Sequence, residues 1–164
     1  MSDVAAELVA ELQKRHLTLA VAESLTGGLL AAAIVAVPGA STVFNGGVVA
    51  YNTALKHSIL GVDAALLERH GPVHADVAAQ MALGAQRALA VDGVAADVAI
   101  STTGVAGPGP QGGHPAGTAF VAVAICSTVQ TLRLSLQGDR GAIRSAVVSE
   151  SLVLLHKLLR ADGQ

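Results

Sequence analysis

Leu17-Thr18-Leu19-Ala20-Val21-Ala22-Glu23-Ser24-Leu25-Thr26-Gly27-Gly28-Leu29 is the stretch whose reading decides the fold. Leu17 to Ala22 reads as a short buried strand, and a second apolar run, Leu29 to Val37, opens directly after the two glycines. A strand that turns into a helix through Ser, Thr and two Gly presents a hydroxyl and several free backbone N–H groups at one point. Those are the components of an anion site or of a nucleophile site. The pattern predicts a helix from Thr26 to Val37, stopped by Pro38-Gly39.

Working outward, Val4, Leu8, Val9 and Leu12 share one face of an amphipathic helix over residues 3–15. Ser41 to Tyr51 reads as a strand whose Gly46-Gly47 interruption allows close approach to the backbone. Asn52 is placed to cap a short helix through Leu60, Asp63 a second one ending near His70-Gly71, and Ala75 or Asp76 starts a longer one through Ala90. Val98 to Thr102 reads as a central strand leading into a glycine loop. Thr118 to Ser127 and Thr131 to Leu136 read as an antiparallel pair turning near Thr128 to Gln130, and Asp139 caps a final helix to about Leu159. Helices interleaved with buried strands predict a three-layer α/β/α sandwich with a mixed, mostly parallel sheet. The site is then expected at the carboxyl ends of the strands, where both the Ser24 turn and the Gly104 loop fall.

Composition bounds the rest. The chain has 164 residues, enough for one domain over 1–164 that buries its core without disulfides. A net charge of −2 with no run of like charges leaves no electrostatic footprint for nucleic acid or anionic lipid. Leu29 to Pro38 is the longest strongly apolar stretch, far short of the ~20 residues that span a bilayer, so a cytoplasmic location is expected. Half the residues are hydrophobic but almost none are aromatic, which implies an Ala-rich core with helices and sheet close together. The low charge of this Ala-rich chain is compatible with a homodimer. Cys126, inside a Val/Ala run, is expected to be an apolar filler in a buried strand. No Cys pair accompanies the six His, so no metal site is expected.

Three stretches carry residues suited to chemistry. Ser24 has the best claim as nucleophile, but a serine hydroxyl needs a base, and no His with an obvious Asp partner appears. Lys56, amid Leu55, Ile59 and Leu60 near a helix start, is suited to having its pKa lowered by burial. Tyr51, five residues earlier, is placed to pass a proton between them or to orient one against the other. Thr26, Gly27 and Gly28 supply backbone donors suited to an oxyanion. Glu23 either holds the turn or neighbours the Lys56 ammonium. The amides of Gly104-Val105-Ala106-Gly107 are suited to a phosphate or ribose, Thr102 and Thr103 add hydroxyls, and Arg140 is one of few cations available for a phosphate. Each of these also has a purely structural reading: a helix cap, a core tyrosine, a solvated lysine.

In order and spacing, the segments around Ser24, around Phe44 to Lys56 and around Ser101 to Pro110 resemble the CinA C-terminal domain family, over roughly Glu7 to Leu155. Gly138-Asp139-Arg140 with Arg144 forms its last motif. The resemblance implies a catalytic group that falls on Ser24, Tyr51 and Lys56, and substrate contacts from Gly46, Thr103, Gly104, Val105, Ala106, Gly107 and Arg140. Single-domain members include nicotinamide mononucleotide amidohydrolases. The implied activity is therefore deamidation of that nucleotide to nicotinate mononucleotide and ammonia, in bacterial pyridine-nucleotide recycling, with a small nucleotide as the partner and no cofactor. The chain departs from the family at Leu25, where Cys is common, and at His114-Pro115-Ala116-Gly117, where Lys-Pro-Val-Gly is common. Loss of that lysine weakens a phosphate contact unless protonated His114 replaces it. Two other readings stay open: a non-catalytic nucleotide-binding or protein-interaction module, and a Ser–Lys hydrolase of another amide.

Overall fold

Side-chain alternation along one buried strand builds two different cores. Leu19 and Val21 join a layer rich in Leu, Ile and Val on one face of the sheet, whereas Ala20 and Ala22 join a layer dominated by Ala on the other. The computed structural model describes residues 2–161. Its elements are α1 (Ser2–Arg15), β1 (Leu19–Glu23), α2 (Leu29–Val35), a 3₁₀ turn at Ala40–Thr42, β2 (Phe44–Val49), α3 (Thr53–Ser58), α4 (Ala64–His70), α5 (Ala75–Ala88), β3 (Val98–Gly104), β4 (Thr118–Ile125), β5 (Thr128–Ser135) and α6 (Arg140–Ala161).

The strand order is β2-β1-β3-β4-β5. β1 pairs in parallel with β2 and with β3, and β4 pairs antiparallel with β3 and β5, so only β4 runs against the others. Helices α1, α2 and α6 cover one face and α5 the other, which gives the expected three layers. On the α5 side, Ala20, Ala22, Ala99, Ala122 and Ala124 leave the sheet surface low. Helix α5 settles onto it through Val77, Ala78, Met81, Ala82 and Ala85. Gly84 then lies so near the chain after α3 that a Cβ there would be 1.9 Å from the Leu60 carbonyl oxygen. The scarcity of aromatic residues is thus the condition for this close packing.

Several boundaries differ from the sequence expectation, each for a local reason. α2 starts at Leu29 rather than Thr26, because Gly27 (φ 59°) and Gly28 (φ 99°) are left-handed and form a turn ahead of the helix. The strand expected over Ser41 to Tyr51 is trimmed at both ends to β2. The β4–β5 turn falls at Cys126-Ser127, earlier than expected. Cys126 is therefore not a buried filler: it is exposed, with φ 52°, and its amide donates to the Asp97 carbonyl oxygen at 2.8 Å. Gly46 and Gly47 also change meaning. Gly46 sits opposite Ala20 in the sheet register, outside the site cleft, and a Cβ on Gly47 would come within 2.7 Å of Val21 Cγ2. Gly47 thus serves sheet packing, Gly46 is glycine for its φ of 147°, and neither lines the cleft, so Gly46 is removed from the substrate-binding set.

Candidate active site

The parallel strands β1, β2 and β3 end at one rim, and each brings a polar residue or a glycine to it. Ser24 follows β1, Tyr51 lies two residues beyond β2, and Gly104 ends β3. The strand order reverses about β1, since β2 lies on one side of it and β3 on the other, and such a reversal opens a crevice at the carboxyl ends. Here the crevice is a cleft of about 300 Å³ lined by Ser24, Leu25, Tyr51, Lys56, Arg140 and the segment Thr103 to Gln111, among others.

Lys56 comes from α3, whose start is fixed by the Asn52 side chain accepting from the Ala54 amide at 2.9 Å. The helix points the lysine inward, and only 1% of the residue is exposed. Its Nζ lies 3.0 Å from Ser24 Oγ and 2.7 Å from the Ala50 carbonyl oxygen. No carboxylate pairs with it among the described residues. Burial disfavours the ammonium form and lowers the pKa from 10.5 to about 8. At pH 7.5 about a quarter of such lysines are neutral, against about one in a thousand at the unperturbed value.

The turn carrying Ser24 is held from several directions. The Ser24 amide donates to the Thr102 carbonyl oxygen at 3.0 Å, and the Thr26 and Thr102 hydroxyls bond at 2.8 Å. Glu23 is buried, and its carboxylate accepts from the amides of Gly28 (2.9 Å), Leu30 (3.0 Å) and Ala31 (2.8 Å). Of its two expected roles, Glu23 thus takes the structural one. The oxyanion expectation needs correction at two residues. The Gly27 amide is engaged by the Ser24 carbonyl oxygen at 3.1 Å and the Gly28 amide by Glu23, so neither is free to meet a ligand. Among the described residues, the amides of Leu25 and Thr26 have no acceptor, and of these two Leu25 lines the cleft.

Tyr51 is also placed differently from expectation. It is 60% exposed, at the mouth of the cleft, and its hydroxyl accepts from Arg140 Nη2 at 2.9 Å rather than bridging Ser24 and Lys56. Arg140 Nη1 donates to the Gly107 carbonyl oxygen at 2.9 Å, so Tyr51, Arg140 and the glycine loop form one wall. Arg140 opens α6 just after Asp139, which caps it by accepting from the Ala142 amide at 2.8 Å. Gly104 must be glycine for β4 to approach, since a Cβ there would lie 2.7 Å from Ala119 Cα. The amides of Ala106 and Gly107 have no acceptor among the described residues, whereas the Val105 amide is bound to the Thr118 carbonyl oxygen at 2.8 Å. Thr103 donates its hydroxyl to Pro72 at 2.6 Å, and Thr102 faces the Ser24 turn. His114 closes a two-glycine hairpin with Gln111 and does not line the cleft, so it does not stand in for the missing lysine. His70 and His74 stack with centroids 4.7 Å apart, but the described residues hold no cluster of three metal-ligating side chains.

Sequence reasoning places Arg144 in a family-like motif with Gly138-Asp139-Arg140 but gives it no partner. Its guanidinium donates to the carbonyl oxygens of Leu25 (2.9 Å) and Thr26 (2.8 Å), more than a hundred residues away in sequence. No local signal marks such a partner.

The arrangement is that of an α/β domain with a buried serine–lysine pair at the carboxyl ends of its parallel strands. Residues 1–159 match the CinA C-terminal domain model, and the chain belongs to that family. A CinA-like protein of Frankia casuarinae is 45% identical over 90% of this chain, which spans about a third of that relative's length (33%). Among solved structures, a CinA superfamily protein of Klebsiella pneumoniae superposes with a TM-score of 0.91 at 30% identity, covering 98% of both chains. A competence damage-inducible protein A (ComA) of Klebsiella pneumoniae superposes with a TM-score of 0.89 at 34% identity, covering 97% of this chain and 96% of that one. No helix among the described residues is long and apolar enough to cross a membrane.

Proposed function

We propose that the chain is an amidohydrolase acting on the carboxamide of nicotinamide mononucleotide, with Ser24 as nucleophile and neutral Lys56 as base. The observation that carries this reading is the buried amine 3.0 Å from a serine hydroxyl, with its pKa lowered to about 8. A lysine serving only structure is normally solvated or paired with a carboxylate. A desolvated amine at hydrogen-bond distance from a hydroxyl is instead poised to take its proton.

In this scheme Ser24 Oγ attacks the carboxamide carbon while its proton passes to Lys56 Nζ. The Leu25 amide, the residue after the nucleophile, meets the oxyanion. The Lys56 ammonium then returns the proton to the departing nitrogen, ammonia leaves, and water releases the acid from Ser24 by the same proton path in reverse. The Ala50 carbonyl oxygen holds Lys56 Nζ in line at each stage. Arg140, oriented by Gly107 and Tyr51, supplies a cation at the mouth of the cleft suited to the phosphate of the nucleotide.

The test is release of ammonia and nicotinate mononucleotide from nicotinamide mononucleotide, with Ser24→Ala alongside. Turnover by the wild type is expected to vanish in the variant, and kcat/KM is expected to rise with pH and level off above about 8 as Lys56 loses its proton. Turnover that survives Ser24→Ala would overturn the assignment of the nucleophile, and a folded wild type without turnover would overturn the substrate.

A further inference from the structure

The nucleophile turn is gripped on two opposite sides by charged groups. On its amide side, the Glu23 carboxylate collects Gly28, Leu30 and Ala31. On its carbonyl side, Arg144 of α6 collects Leu25 through Nε and Thr26 through Nη2. Arg144 is part-buried and makes no ion pair among the described residues. Its fit to the turn is close, since a Cβ on Gly27 would lie 3.3 Å from Arg144 Nη2. A side chain that merely solubilised α6 would not point its charge at two successive carbonyls on another element.

The bonds also connect in series. Arg144 Nη2 donates to the Thr26 carbonyl, and the N–H of that peptide belongs to Gly27. The Gly27 N–H donates to the Ser24 carbonyl at 3.1 Å, and the N–H of that second peptide belongs to Leu25, which lines the cleft beside Ser24. Peptide groups linked head to tail in this way polarise one another, and a cation at the far end strengthens each donor in turn. We propose that Arg144 is a positioning residue, which locks the Ser24 turn and aims and strengthens the Leu25 amide toward the cleft. Its catalytic consequence rests on the amidohydrolase reading above, while its effect on the turn does not.

Two measurements separate these. The first is amide hydrogen exchange in wild type, Arg144→Met and Arg144→Lys, which needs no substrate. Exchange at the Gly27 amide is expected to accelerate at least about tenfold in Arg144→Met while core amides of β3 keep their protection. Lysine, which reaches one carbonyl rather than two, is expected to restore part of it. Unchanged Gly27 exchange in Arg144→Met and Arg144→Lys overturns the proposal. If Arg144→Met fails to fold, Arg144→Lys alone decides, by whether Gly27 exchange moves without a change at β3.

The second is steady-state kinetics on nicotinamide mononucleotide. Here kcat is expected to drop roughly 100-fold in Arg144→Met with KM within about threefold, because a misaimed donor is lost only in the transition state. Equal kcat in wild type and variant, with wild-type turnover present, overturns the catalytic part. A wild type without turnover but with the exchange effect would sink the amidohydrolase reading and leave the positioning role supported.

Discussion

Replacing Lys56 with methionine, and following unfolding across pH, isolates the cost of burying its ammonium. In the folded protein the amine has a pKa of about 8, while in the unfolded chain it returns to 10.5. Below pH 8 both states hold the proton, and the folded state carries the full penalty of a desolvated charge. Between about 8 and 10.5 the unfolded state binds a proton that the folded state has released, so stability rises with pH. The slope is about 1.4 kcal/mol per pH unit and the total about 3 kcal/mol. Methionine carries no titrating group, so the variant lacks this rise. It also leaves the buried Ala50 carbonyl without its donor, which costs about 1–3 kcal/mol at every pH and therefore moves the offset rather than the slope. The assay is urea denaturation of wild type and Lys56→Met at pH 6.5, 8.0 and 9.5. The stability of wild type relative to variant is expected to be constant below about 7 and to improve by about 2 kcal/mol by 9.5. A difference that stays flat across this range would refute the claim that Lys56 is desolvated, and with it the base assigned to Ser24.

Two further perturbations probe the scaffold. Glu23→Gln retains an oxygen for two of the three amides but turns an NH₂ toward the third, and is expected to cost about 3 kcal/mol in denaturant titration; a loss under about 1 kcal/mol would show that the carboxylate is not what holds the turn. Gly84→Ala, which on an exposed helix would gain about 1 kcal/mol, is expected instead to lose at least about 3 kcal/mol, because its Cβ would sit 1.9 Å from the Leu60 carbonyl oxygen. A neutral result in thermal unfolding would contradict the close α5 contact.

Element types were readable because they rest on local chemistry. The Asn52, Asp63 and Asp139 caps were visible in sequence, and each accepts a backbone amide near its helix start. Boundaries near glycines were less readable, since Gly27 and Gly28 are compatible with helix or turn until the rest of the chain selects the left-handed form. Gly46-Gly47 suggests close approach to the backbone, and the approaching atom, at Gly47, is Val21 Cγ2 of the protein itself. A glycine reports that something is close but not what it is.

The same division runs through the site. Ser24 and Lys56 could be nominated from sequence because a hydroxyl at a strand-to-helix turn and a lysine among apolar neighbours are local patterns. Their 3.0 Å approach, and the desolvation that lowers the lysine pKa, exist only once α3 is packed under the β1 turn. Tyr51 is nominated by the sequence as a neighbour of Ser24 and Lys56, whereas its hydroxyl bonds Arg140, 89 residues away. Arg144 is marked in sequence by the family-like motif it shares with Gly138-Asp139-Arg140, but its partners are not, because its acceptors are backbone carbonyls 118 and 119 residues away. Sequence alone determined which segments become strands, helices and turns, through periodicity, caps and glycines that act within a few residues. Tertiary structure alone decided which charges meet and which are stripped of water, because Coulomb energies and burial depend on distance in space rather than along the chain.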